Sequence, residues 1–333
     1  MAIDLLQIQP HQVSRDLSGY ITYIYGAPKV GKTSLAAQTK DSLLIAAEKG
    51  YNAIAGIIAQ DVTSWSEMRQ VYKELKKDEV KARFKVLIVD TIDLLAKYCT
   101  KYICSQQGIA ELSDLPYGKA YSLMRSEFED IFNNLAQMGY AVVFISHAQD
   151  ATFTRPDGSE YTKIIPSLGP AKVNAIIENM ADIYGYAHIV RDAEGKSQRV
   201  LTLRSSDDSI ACGSRFRYMQ EEIPLTYDAL VEALNRAIDA EAENDPSLVT
   251  NNPITVNKKE LDFDKLKNDF NKLVKQIQEA SGNDFGNIWA PKIVNITNKI
   301  LGKGKRISDL TPDQVELLEI CYNELVEQVG NGL

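Results

Sequence analysis

The segment Gly26-Ala-Pro-Lys-Val-Gly31-Lys32-Thr33 constrains this chain more than any other. It satisfies GxxxxGK[ST] at every fixed position and sits between a β-branched, aromatic run (YITYIY, residues 20–25) and the start of a helix (SLAAQTK). The two glycines let the backbone curl so that its N–H groups point inward at phosphate oxygens. The helix that follows aims its positive end at the same point. In such a loop the lysine, here Lys32, reaches the β- and γ-phosphates, and the hydroxyl of Thr33 sits on Mg²⁺. Residues Gly26, Ala27, Pro28, Lys29, Val30, Gly31, Lys32, Thr33 and Ser34 are therefore expected to bind a nucleoside triphosphate, ATP with Mg²⁺.

The apolar runs place this loop in a larger scheme. Further strands are expected at 42–47, 85–90 and 140–146, with helices at 64–78 and 119–138 between them. Alternation of this kind implies a mainly parallel sheet flanked by helices. Residues 148–170 contain three prolines and two glycines and are expected as a long loop, although TFTRPDGSEYTK also fits a solvated hairpin turning at PDG. A hairpin is expected over 182–191 and 197–204, and a helix over 226–243. The predicted organisation is an ATPase core over residues 1–241, a linker over 242–259 rich in Asn and Pro, and a helical module over 260–333. In that module Thr311 is expected as an N-cap, with Pro312 in the first helical position.

Three strand ends carry candidate chemistry. KVLIVD ends in Asp90, a carboxylate suited to hold Mg²⁺ through water, with Thr33 as the other protein group. Asp93, a turn later, is expected only as a helix-start charge. LLIAAEKG places Glu48 at the end of the second strand, sixteen residues after Lys32, where a carboxylate can orient water for attack on the γ-phosphorus. His147 ends YAVVFISH and is a candidate sensor of that phosphate.

With 333 residues, the chain is long enough for one large α/β domain and a smaller module. Its net charge of −8 argues mildly against non-specific coating of nucleic acid, but leaves room for a local basic loop. Cys99, Cys104, Cys212 and Cys321 lack zinc-ligand spacing and are expected as free thiols. No apolar stretch reaches the ~20 residues of a membrane span. The expected location is the cytoplasm, of a bacterial host if the chain is phage-encoded.

GAPKVGKT, LLIAAEKG, VLIVD and VVFISH together resemble the RecA-like ATPases over roughly residues 15–235. TIDLL after Asp90, YGKAY at 117–121 and SH before a long loop resemble the phage-encoded Sak group of single-strand annealing proteins. The resemblance implies a RecA-like α/β core, catalytic roles for Glu48, Lys32 and His147, and an ATPase stimulated by DNA. It implies single-stranded DNA as partner and recombination, by annealing or strand exchange, as function. A replicative helicase or helicase loader, and a regulatory NTPase that does not act on DNA, are the alternatives.

By the same resemblance, residues 105–118 and 148–170 are the DNA-facing candidates. The second segment offers Phe153, Arg155, Tyr161 and Lys163, with Lys172 just beyond. A homo-oligomer, ring or filament, is expected, with Arg204, Arg215 or Arg217 reaching into a neighbour's site. The helical module is expected to recruit a partner, a single-strand-binding protein being one candidate.

Overall fold

The computed structural model describes residues 10–168, 173–192, 194–205, 209–252 and 261–330. It divides into two compact units, Gln9–Lys258 and a helical unit from Lys259 onward.

In the larger unit, β1 (Val13–Ser14) precedes the phosphate-loop strand β2 (Thr22–Gly26), followed by β3 (Ser42–Ala46), β4 (Ala59–Asp61) and β5 (Val86–Asp90). The chain continues through β6 (Ala141–Thr154), β7 (Glu160–Pro166), β8 (Ile183–Arg191) and β9 (Ser197–Thr202). It ends with β10 (Gly213–Ser214), β11 (Glu222–Pro224) and β12 (Val249–Thr250). The helices are α1 (Lys32–Ala36), α2 (Trp65–Leu75), α3 (Asp78–Arg83), α4 (Ile92–Gln107), α5 (Lys119–Gln137), α6 (Val173–Met180) and α7 (Tyr227–Glu241).

The sheet runs β11-β9-β8-β2-β6-β5-β3-β4, with β6 inserted between the phosphate-loop strand and the Asp90 strand. Pairing is parallel from β8 through β4 and antiparallel at β8–β9 and β9–β11. All strand ends that carry candidate chemistry therefore lie along one edge. In register, Gly26 stands beside His147, and Ala46 beside Asp90.

Both faces of the sheet are covered, which explains why β2 and β5 are apolar without alternation. One core joins Tyr23, Ile45, Val89 and Phe144 to Trp65, Leu95, Phe128 and Ile176 of α2, α4, α5 and α6. The other joins Ile24, Leu44, Ile88 and Leu201 to Leu35 of α1 and to Leu230, Leu234 and Ile238 of α7.

The structure departs from the sequence expectation in three places. Residues 148–166 form a two-stranded ribbon, because β6 continues past the sheet and pairs with β7 from Ala148↔Pro166 to Thr154↔Glu160. Arg155 and Ser159 close its turn. Second, the first part of the segment expected as a linker is held on the larger unit, since Val249 and Thr250 pair with Val13 and Ser14. Residues 253–259 of it, and residue 260 of the expected helical module, lie outside the described residues. Third, α4 and α6 are helices that the apolar pattern did not reveal.

The helical unit comprises α8 (Phe263–Ser281), α9 (Ala290–Leu301) and α10 (Val315–Gly330) around Phe270, Ile277, Trp289, Ile296, Leu318, Cys321 and Leu325. Thr311 forms a capping box with Gln314 and Pro312 takes the first helical turn, as expected. No helix among the described residues is long and apolar enough to cross a membrane.

Gly26 joins β2 to the phosphate loop at a point where a Cβ would stand 2.1 Å from the carbonyl oxygen of Ala187 on β8. Neither backbone can give way without breaking the parallel pairing. Gly26→Ala should lower stability by about 1–3 kcal/mol, read as a melting temperature several degrees lower by calorimetry.

Candidate functional site

The phosphate loop is open at its apex and anchored at its base. Ala27, Pro28 and Lys29 are exposed, and Val30 is buried in the α1/α7 core. Gly31 adopts φ +117°, a conformation open to glycine, immediately before α1. Lys32 is 6% exposed, and its Nζ donates to the carbonyls of Gly26 and Ala27, both at 2.8 Å. Those two bonds hold the ammonium inside the loop where phosphate oxygens would compete for it. Burial pulls the Lys32 pKa below the ordinary lysine value, while Asp90, Asp93 and Glu48 pull it back up. Ser34 is exposed at the first turn of α1, and its carbonyl accepts from Gln38.

Thr33 Oγ1 donates to Asp90 Oδ2 at 2.6 Å. Burial raises the Asp90 carboxyl above the usual carboxylate value, and the Thr33 hydrogen bond opposes the rise. A hydroxyl and a carboxylate side by side next to a phosphate loop are hard oxygen donors that suit Mg²⁺. Among the described residues no group of three His, Cys, Asp or Glu could hold a metal ion alone. The pair therefore fits a cation that takes its remaining ligands from phosphate and water, which is how Mg²⁺ binds.

Glu48 lies just beyond β3, and its backbone N–H, like that of Ala47, donates to the carbonyl of Asp90. The exits of β3 and β5 are thus fastened together. Glu48 Oε1 accepts from Thr91 Oγ1 at 2.9 Å and lies 3.3 Å from His147 Nε2. With Oε1 occupied, the second oxygen of this half-exposed carboxylate is the one that can take a proton from water. His147 Nδ1 is buried without a partner. Of the two ring nitrogens, Nε2 is therefore the one that meets Glu48.

Asp93 corrects the expectation of a simple helix-start charge. It is 5% exposed. Its Oδ1 accepts from Ser146 Oγ at 2.9 Å and Ser167 Oγ at 2.5 Å, and its Oδ2 from the His147 N–H at 3.3 Å. It fixes the exit of β6 and also the point where the ribbon returns. The sequence carried one faint sign of this: Asp93 sits at the edge of the buried stripe Ile92, Leu95, Ala96, Cys99 and Ile103.

The other predicted residues scatter. Phe153 faces Tyr161 across the ribbon with ring centroids 5.7 Å apart, and the Arg155 guanidinium lies 4.3 Å from the Tyr161 ring centre. Lys163, half-buried, is on the same ribbon, while Lys172 lies outside the described residues. Of the arginines expected to act on a neighbour, two have partners in their own chain. Arg204 donates to the Phe216 carbonyl, and Arg215 pairs with Asp182 at 3.0 Å and donates to the Asn179 carbonyl. Arg217 is exposed and stacks near Tyr218. Sequence reasoning passed over Thr91, Ser167 and Arg199, the last of which comes against Gly31 from β9.

Two substitutions test this arrangement. Glu48→Gln keeps size and hydrogen bonding but loses the base, so kcat should fall by about 100-fold or more with nucleotide affinity retained, checked by phosphate release and calorimetric titration. Asp90→Asn tests the buried charge. A carboxyl raised on folding contributes its full stability below its unfolded pKa and loses it as pH rises through the folded value. At neutral pH the charged Asp90 therefore opposes folding. Nucleotide-free Asp90→Asn should melt about 2–4 °C higher than the parent at neutral pH, with the gain shrinking as pH falls through the raised folded value of Asp90 and gone below about pH 4.

The profile of a family described as AAA domain matches residues 18–215, which run from just before β2 into the segment after β10. The SPbeta prophage-derived uncharacterized protein YorG of Bacillus subtilis (strain 168) is 28% identical over 335 residues, an alignment that spans 98% of this chain and 98% of that protein. The phosphate loop, the Thr33–Asp90 pair and the strand-end glutamate all fall inside the matched segment, and the chain belongs to the AAA domain family of P-loop ATPases.

Proposed function

We propose that this chain is a RecA-like, Mg²⁺-dependent ATPase that acts on single-stranded DNA in phage recombination, by annealing or strand exchange. The observation that carries the reading is the ribbon β6–β7. It begins one residue after His147, whose ring meets Glu48, and its return is tied to Asp93 at the start of the α4 helix. Any change at the water-activating carboxylate thus has a short mechanical path to the ribbon. The ribbon carries Phe153, 39% exposed, opposite Tyr161, with Arg155 beside them. Aromatic faces with a guanidinium offer what unpaired bases need.

Support for the RecA-like assignment is the strand order, which sets Glu48 just beyond β3, the neighbour of the Asp90 strand, with β6 between both and the phosphate loop. Tyr117, fully exposed between α4 and α5, adds a second aromatic in the other DNA-facing candidate segment. The prophage origin of the 28% identical relative supports the phage context.

The test is ATP hydrolysis with and without single-stranded DNA, alongside DNA binding by anisotropy. The parent should hydrolyse faster with DNA, and Phe153→Ala should weaken DNA binding by about tenfold, a stacking contribution of about 1–3 kcal/mol. Because the ribbon carries few cations, affinity should fall only shallowly with salt, with a log–log slope of about −1.4 or less. Hydrolysis indifferent to DNA would favour a regulatory NTPase. ATP-coupled unwinding of duplex would favour a helicase.

A further inference from the structure

A nucleoside triphosphate with its cation puts an excess of negative charge into this site. Lys32 offsets part of it, but Asp90 and Glu48 add to it. Of the arginines expected to supply the remainder from a neighbour, Arg204 and Arg215 are bonded within their own chain. One arginine does stand at the loop. Arg199 Nη1 lies 3.7 Å from where a Cβ on Gly31 would be, beside Leu225. Arg199 is exposed, and among the described residues no carboxylate pairs with it.

The fold holds this side chain in place. Its backbone lies in β9 opposite Ile189 of β8, and its carbonyl accepts from the Leu225 N–H at 3.0 Å, so both edges of the strand are paired there. Side chains two apart on a strand share a face, and Leu201 is buried in the core that contains α1. Arg199 thus projects on the α1 face and crosses over β8 to reach the loop above β2.

Position along the sheet decides which part of the nucleotide it meets. Glu48 lies on the β3 flank, three strands to one side of β2, and marks the γ-phosphate end. Arg199 lies on the β9 flank, two strands to the other side. A nucleotide laid across the loop with its γ-phosphate toward Glu48 turns its nucleoside end toward β9. We infer that Arg199 binds the nucleoside-proximal end of the nucleotide from within the same chain, its guanidinium donating to the α-phosphate and covering the base. A planar guanidinium suits both contacts, and lysine would serve only the first.

The experiment is calorimetric titration of the full chain with ADP and with ATPγS, each with Mg²⁺, and of Arg199→Ala, Arg199→Gln and Arg199→Lys. Arg199→Ala and Arg199→Gln should weaken ADP and ATPγS alike, by about tenfold, while kcat at saturating ATP stays within about twofold. Inorganic tripolyphosphate, which lacks the nucleoside, should lose less. Arg199→Lys should recover part of the loss. Unchanged affinity for both nucleotides would overturn the inference. So would a loss confined to ATPγS, or a fall in kcat at unchanged affinity, either of which would place Arg199 on the γ-phosphate. None of these outcomes depends on whether DNA is bound.

Discussion

The buried carboxylate of Asp93 is the interaction on which the working edge of this sheet depends. An ionised group taken out of water is expensive unless its lone pairs are filled. Asp93 accepts from two serine hydroxyls and one backbone N–H. Those donors come from Ser146 and His147, where β6 leaves the sheet, and from Ser167, where the ribbon returns. The Ser167 N–H also donates to the carbonyl of His147 at 2.8 Å. The backbone of His147 is thus fixed from both sides, and its ring lies 3.3 Å from Glu48. Removing the carboxylate would take the acceptor from the Ser167 hydroxyl and the His147 N–H, leave Ser146 only the His147 carbonyl, and release the ribbon from the helix that follows Asp90.

The nucleotide end of the site is held in a state that favours ligands over stability. Asp90 is buried with its pKa raised, and Lys32 is buried with its pKa lowered, so each is destabilised in its charged form by the same dry surroundings. Thr33 and the loop carbonyls offset this only in part. A divalent cation beside Asp90 and phosphates beside Lys32 would relieve both penalties at once. Binding energy is thereby directed to charge compensation in a low-dielectric site, where each contact is stronger than in water.

The parallel core and the phosphate loop were legible because their determinants are local. GAPKVGKT needs its glycines at fixed offsets, and β2, β5 and the first half of β6 are unbroken apolar runs because both faces of the sheet are covered. Glu48 and Asp90 were legible as polar residues ending such runs. The ribbon was only half visible, since PDG signals a turn but the pairing of Phe153 with Tyr161 depends on register across it. Asp93, Thr91 and Arg199 were not legible in those terms. Asp93 is defined by donors 53 and 74 positions away, and Arg199 by a glycine of the phosphate loop, far from it in sequence. The same non-local pairing assigns Arg215 to Asp182, which sequence proximity to other arginines had concealed.

The proposed DNA contact must work within the charge that the ribbon has. Between Ala148 and Pro166, Arg155 and Lys163 face Asp150, Asp157 and Glu160, so the ribbon does not attract a polyanion by charge. Asp157 is engaged by Ser159 at the turn, which leaves it shaping the loop. What remains at the tip is the exposed Phe153 beside the half-buried Tyr161, with an arginine over the tyrosine ring. Stacking rewards bases that are already unpaired and gains nothing from duplex, whose bases are stacked on each other. Under the proposed function, an acidic chain with such a tip would discriminate by the state of the bases and not by phosphate density. Such selectivity would suit the proposed annealing, where single strands must be held loosely enough to find their complements.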